Sequence, residues 1–158
     1  MPTIAVETDD PVSLEIPSSE GPSRLSDGGV SLLFEMGSRP TADDIAGVLE
    51  SGGVLARISH RPKNDEGWLE LLSSGLTFDM SGLAPQARSS SLPVRHVYGF
   101  EQPVPDFARL EGVEIAPGRH IAAGRAMLPV VRTLAGLAAG MALQLPVAAV
   151  VWHLSLIH

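Results

Sequence analysis

The chain of 158 residues contains no cysteine. That excludes disulfides, cysteine-ligated zinc, iron–sulfur clusters and thiol nucleophiles. Lysine is nearly as scarce: Lys63 stands alone beside ten arginines. With 18 acidic residues against 11 basic ones, the formal net charge is −7. A nucleic acid needs a basic surface to receive its phosphates, so no nucleic-acid partner is expected. A single lysine also makes no polybasic membrane patch. The opening MPTIAVETDDPV has no basic stretch followed by an apolar run, so it does not read as a secretory leader. The cytoplasm of a bacterium is the compartment expected, the arginine and Ala/Gly/Pro bias fitting a GC-rich genome.

What is present is globular in composition, at 44% hydrophobic and 18% charged. Residues 1–29 hold two short alternating stretches, Thr3–Glu7 and Val12–Ile16, then a Ser/Gly/Pro-rich loop. A single domain is expected over 30–153. Val30–Met36 is an apolar run bounded by glycine and reads as a buried strand. Thr41 is a good helix N-cap, with Asp43 and Asp44 placed where the helix dipole favours negative charge. Ile45, Val48 and Leu49 then share one face, and Gly52–Gly53 supply the stop. Val54–Ser59 resumes as a strand, and the pattern leaves open whether the two strands pair directly.

Further along, Leu76, Phe78 and Met80 alternate with Thr77 and Asp79 as in a half-exposed antiparallel strand. Val94–Phe100 and Gly112–Ala116 read as further strands. Ala126–Leu145 reads as a long helix with Pro129 in its first turn and Pro146 ending it. Val147–Trp152 is the last strand. The fold class expected is α+β or α/β, with one mixed sheet of about five or six strands and two main helices packed on it.

Thr133–Trp152 is a run of twenty uncharged residues, long enough to span a bilayer, and it holds a G-x-x-x-G at Gly136 and Gly140. Its seven Leu and Val residues supply only about 3.5 kcal/mol of insertion energy, and Pro146 interrupts it. A core helix followed by a strand is the better reading, and a membrane partner is not expected.

The strong catalytic and nucleotide motifs are absent. Gly29–Leu33 approaches a nucleophile elbow but has Leu where the second glycine belongs, so Ser31 reads as a strand residue. No two of His60, His96, His120, His153 and His158 stand at a helical ligand spacing. Ligands converging from strand ends, His60, His96 and His153 with Asp79 or Glu70, are the only metal arrangement the sequence allows, and no metal or cofactor is expected. The pairs Asp9/Asp10, Asp43/Asp44 and Asp65/Glu66 are sequence neighbours that diverge and read as turn or cap residues. The loop before the long helix brings Arg119, His120 and Arg125 together and is the one candidate ligand site, for an anion at a helix N-terminus.

Three functions follow in order. The first is a non-enzymatic domain for protein–protein interaction or structural support, with an unidentified protein partner. The second is a small-molecule enzyme or anion-binding domain using Arg119, His120 and Arg125. The third is membrane association through residues 133–152.

The end of the chain stands apart. Residues 154–158, LSLIH, break the composition of what precedes them. They match a translation of CTG TCT CTT ATA CAC, the start of a transposon end ligated to DNA fragments for sequencing. We therefore expect a non-native tail, and a native domain cut short near His153. The coding DNA checks this: those five codons are expected, and any other set overturns the reading.

Overall fold

The computed structural model of the chain describes residues 3–8, 28–64, 66–86 and 109–154. Its elements are β1 (Thr3–Thr8), β2 (Val30–Glu35), α1 (Ala42–Glu50), β3 (Arg57–His60), β4 (Trp68–Ser73), β5 (Leu76–Ser81), β6 (Leu110–Pro117), a 3₁₀ turn (Arg119–Gly124), α2 (Leu128–Gln144) and β7 (Ala149–Leu154). The expected strands over 12–16 and 94–100 lie outside the described residues, as do His96, Asp9, Asp10, Asp65 and residues 155–158.

One sheet runs in the order β1-β7-β2-β6-β5-β4-β3. Every neighbouring pair from β7 to β3 is antiparallel, and β1 lies parallel to β7 at the edge. The class is therefore α+β, with two main helices on six antiparallel strands and β1 making the sheet mixed. Because β6 and β7 both run opposite to β2, they are parallel to each other, and β6–α2–β7 is a crossover that straddles β2. The first strand–helix–strand unit, β2–α1–β3, joins strands with three others between them.

Local chemistry explains the elements. At the start of α1 the Thr41 hydroxyl accepts the Asp44 amide at 3.1 Å, and the Asp44 carboxylate accepts the Thr41 amide at 2.9 Å, a reciprocal capping box. Gly52, with φ of +77°, takes the left-handed position just past the helix end. Trp68–Ser73 pairs with Leu76–Ser81 through a two-residue turn in which Ser74 and Gly75 both have positive φ, the twist a tight hairpin demands. Leu69 and Leu71 point inward and Glu70 outward, an alternation that the neighbouring Leu72 hides in the sequence.

The core lies between one face of the sheet and the two helices. Val30, Leu32 and Phe34 of β2, Phe78 and Met80 of β5, and Val113 and Ile115 of β6 meet Val130, Leu134, Leu137 and Met141 of α2, with Ile45 of α1. Each such side chain contributes about 1.5–3 kcal/mol by leaving water. The opposite face is also buried in its β7–β2–β6 half, at Ser31, Leu33, Ala116, Ala149, Val151 and His153. Its β4–β5 half is only half-buried, at Trp68, Glu70, Leu72, Thr77 and Asp79.

Arg39 ties the β2–α1 connection to the sheet. Its side chain is 8% exposed, its Nε meets the Glu111 carboxylate at 3.1 Å, and its two terminal nitrogens donate to the carbonyls of Gly82 and Gln86 at 2.6 Å each. All three arms of the guanidinium fork are thus engaged, which no lysine could reproduce.

The run Thr133–Trp152 divides between α2 and β7, and among the described residues no helix is long and apolar enough to cross a membrane. Its two glycines differ. A Cβ on Gly140 would stand 2.9 Å from Val54 Cγ2, so Gly140 lets α2 lie against the segment after α1, whereas a Cβ on Gly136 meets nothing within 4 Å. Gly136→Ala should raise stability by about 0.5–1 kcal/mol, and Gly140→Leu should lower it by about 1–3 kcal/mol. Denaturant melts of the two variants check the contrast, and equal shifts would refute this assignment.

Candidate functional site

The side chains of the candidate anion loop meet different surroundings in the fold. Gly118 packs on Thr77, its amide donating to the Thr77 carbonyl at 2.8 Å, which lays the 3₁₀ turn beside β5. Arg119 and His120 are exposed there, and their charges act on Asp79, the β5 residue paired with Ala116. Arg125 does something else: its guanidinium donates to the Ala122 carbonyl at 3.1 Å, and its methylenes lie about 3.1–3.3 Å from where a Cβ on Gly28 would stand. Met127 and Leu128, at the start of α2, are 62% and 58% exposed.

Asp79 itself is electrostatically strained. It stands directly across from Glu70 on β4, and like charges opposed across a sheet repel. Burial pushes its carboxyl above the ordinary value of 3.8, the Glu70 charge pushes it further, and Arg119 and His120 pull it back in part. Glu70 is also held by the Ser59 hydroxyl at 2.8 Å.

The histidines are dispersed. His60 stands beside Trp68, ring centroids 5.3 Å apart, and pairs in register with Glu70. His120 faces Asp79. His153 lies on the buried half of the second sheet face, its Nε2 2.8 Å from the Ser31 hydroxyl. Among the described residues no three His, Asp or Glu side chains converge as metal ligands.

The Ser31–His153 pair was not foreseeable from the sequence, since 122 positions separate its members. Strand register creates it: Ser31 pairs with Val151, and the ladder continues to Gly29, whose carbonyl accepts the His153 amide at 2.9 Å. A serine beside an imidazole is the beginning of a nucleophilic pair. At 2% and 9% exposure the two are buried, and their bond satisfies two buried polar groups.

A concavity among the described residues lies between α1 and the C-terminal end of α2. It measures about 550 Å³ and is lined by Ser38, Pro40, Asp43, Asp44, Gly47, Val48, Ser51, Gln144, Leu145 and Pro146. Nearby, α2 and the segment after α1 approach closely at two glycines: Gly53 seats the Gln144 side chain, and Gly140 seats Val54. Leu143, the chain neighbour of Gln144 in its wall, is a large apolar side chain 71% exposed. Asp43 and Asp44 supply negative charge at one end, with Arg61 paired to Asp43 at 2.7 Å. The chain matches no family model, no curated protein and no solved structure.

The Asp79 environment makes a prediction with a definite sign. A carboxyl raised in the native state binds its proton more tightly folded than unfolded, so its contribution is favourable below the ordinary range and is lost as pH rises through the raised value. Asp79→Asn should therefore be more stable than the parent at neutral pH, with the gain vanishing below the ordinary carboxylate range. Denaturation of both proteins between about pH 3 and pH 7 checks this; a neutral-pH loss would reverse the ranking of causes.

Proposed function

We propose that the protein is a non-enzymatic domain of the bacterial cytoplasm that binds a protein partner through the groove between α1 and α2. The observation that carries the reading is the exposure of Leu143 beside the groove wall formed by Gln144, Leu145 and Pro146. An apolar side chain left in water next to a rimmed concavity has the composition of an interaction site. The absence of cysteine fits a reducing compartment.

The anion-binding reading keeps one supporting observation, the exposure of Arg119 and His120 beside the start of α2. One experiment separates the two. Proteins captured by the immobilised chain are purified and tested for co-elution with the parent, Leu143→Glu and Arg119→Ala, each checked by thermal melting. The proposal expects a complex that Leu143→Glu abolishes, with its melting unchanged, and that Arg119→Ala leaves intact. Loss with Arg119→Ala alone transfers the function to the 3₁₀ turn, and a complex indifferent to both removes the groove.

A further inference from the structure

We infer that two copies of this chain join edge to edge, β1 against β1, antiparallel and with Val6 across from Val6. The contact is independent of the groove between the helices. The two edges of the sheet, β1 and β3, are built differently. β3 has four residues, a register shift between Ile58 and His60, and the charges of Arg57 and Arg61 at its two ends. β1 has six residues, keeps one unbroken register with β7 along Thr3–Thr8, and contains no proline or glycine. Thr3, Ile4, Val6 and Thr8 are β-branched, and Glu7 is its one charged residue. A regular, weakly charged edge is a template for another strand, whereas a short, bulged and basic edge is guarded against one.

The ladder to β7 leaves particular backbone groups of β1 over. The His153 amide donates to the Gly29 carbonyl, so His153, Val151 and Ala149 turn their backbone groups toward β2. Val150 and Trp152 then turn theirs toward β1, where they lie across from Ile4 and Val6. In a parallel pair a residue so placed bonds the neighbours on either side of its partner. Thr3, Ala5 and Glu7 therefore bond β7, and the N–H and C=O groups of Ile4, Val6 and Thr8 point out of the edge. Among the described residues no strand lies beyond β1 to receive them. Such a row of donors and acceptors is complementary to another extended backbone.

The row fits a second copy of itself. A two-fold axis at Val6 sets Ile4 across from Thr8 of the second copy, and each outward residue then exchanges both N–H and C=O with one residue opposite. The same register sets Glu7 across from Ala5 of the second copy, so the one charge of the strand does not meet itself. An axis at Glu7 would oppose the two Glu7 positions, and an axis at Ala5 would leave Thr8 with no residue of β1 opposite it.

The test combines sedimentation of the full chain at increasing concentration with residue-resolved amide exchange. Three variants accompany the parent. Val6→Pro removes an outward donor and keeps the ladder to β7, while Ala5→Glu and Ala5→Lys place opposite charges across from Glu7. The inference expects a reversible dimer that Val6→Pro dissociates. Exchange at the Ile4, Val6 and Thr8 amides should slow as concentration rises, with Ala5 and Glu7 slow throughout. Ala5→Glu should dimerise about tenfold or more weakly than Ala5→Lys, a difference that shrinks with added salt. If Val6→Pro also speeds exchange at Ala5 and Glu7, the strand itself has been released, and the two charged variants decide the matter. A chain that stays monomeric overturns the inference, as does a dimer indifferent to the sign of the charge at position 5. Ile4 and Val6 amides protected at every concentration would mean that the chain covers its own edge. Amides that close only in cell extract would assign the edge to a foreign strand; either result refutes a second copy.

Discussion

Strand β2 is buried on both faces, and the rest of the structure accommodates that constraint. Val30, Leu32 and Phe34 point into the helical layer, while Ser31 and Leu33 point the other way and are equally removed from water. Its backbone is paired on both sides, by β6 and β7. A strand so placed needs a neighbour on each edge, and β7, the last described strand, supplies one of them. The helix between β6 and β7 must then cross β2, which lays α2 over β6, β2 and β5. Ser31 is the one polar side chain on β2 that this arrangement buries. Its hydrogen bond to His153 meets the requirement that buried polar groups find partners, and it ties the register of β7 to that of β2.

The second face of the sheet is divided in character. Its β7–β2–β6 half is largely buried and includes the Ser31–His153 pair; its β4–β5 half carries the opposed carboxylates Glu70 and Asp79. Arg119 and His120, at the margin of that half, offset part of the repulsion. Cations that look available in the sequence are thus partly committed to a local electrostatic balance. Asp79 is a poor neighbour for Glu70, and the 3₁₀ turn offsets that repulsion only in part.

The helical layer is shaped by small residues. Gly53 and Gly140 let α2 and the segment after α1 approach within van der Waals distance, and nearby an open groove lies between α1 and the last turn of α2. The edge strand β3 is short, its register shifts between Ile58 and His60, and Arg57, His60 and Arg61 flank it. Those features protect an open sheet edge from pairing with another strand.

Much of the local structure was legible in the residues themselves. Thr41 announces the start of α1 and Gly52 its end, because capping and the left-handed position are chemistry of adjacent residues. Pro129 and Pro146 bracket α2 for the same reason, and the class of one sheet covered by two helices follows from alternation and helical spacing. The first half of the β4–β5 hairpin was not legible, since Leu69, Leu71 and Leu72 blur a period of two. The candidate site was hardly legible at all. Arg119, His120 and Arg125 are neighbours in the chain, yet one turn separates what their side chains meet, and Ser31 finds His153 across 122 positions. Sequence by itself determined the caps, the turns, the apolar faces and the excess of negative charge, because each depends on residues within a few positions of one another. Strand order, the division of the second sheet face and the groove between the helices were decided only by tertiary structure, because each depends on which distant residues the register of β2 brings together.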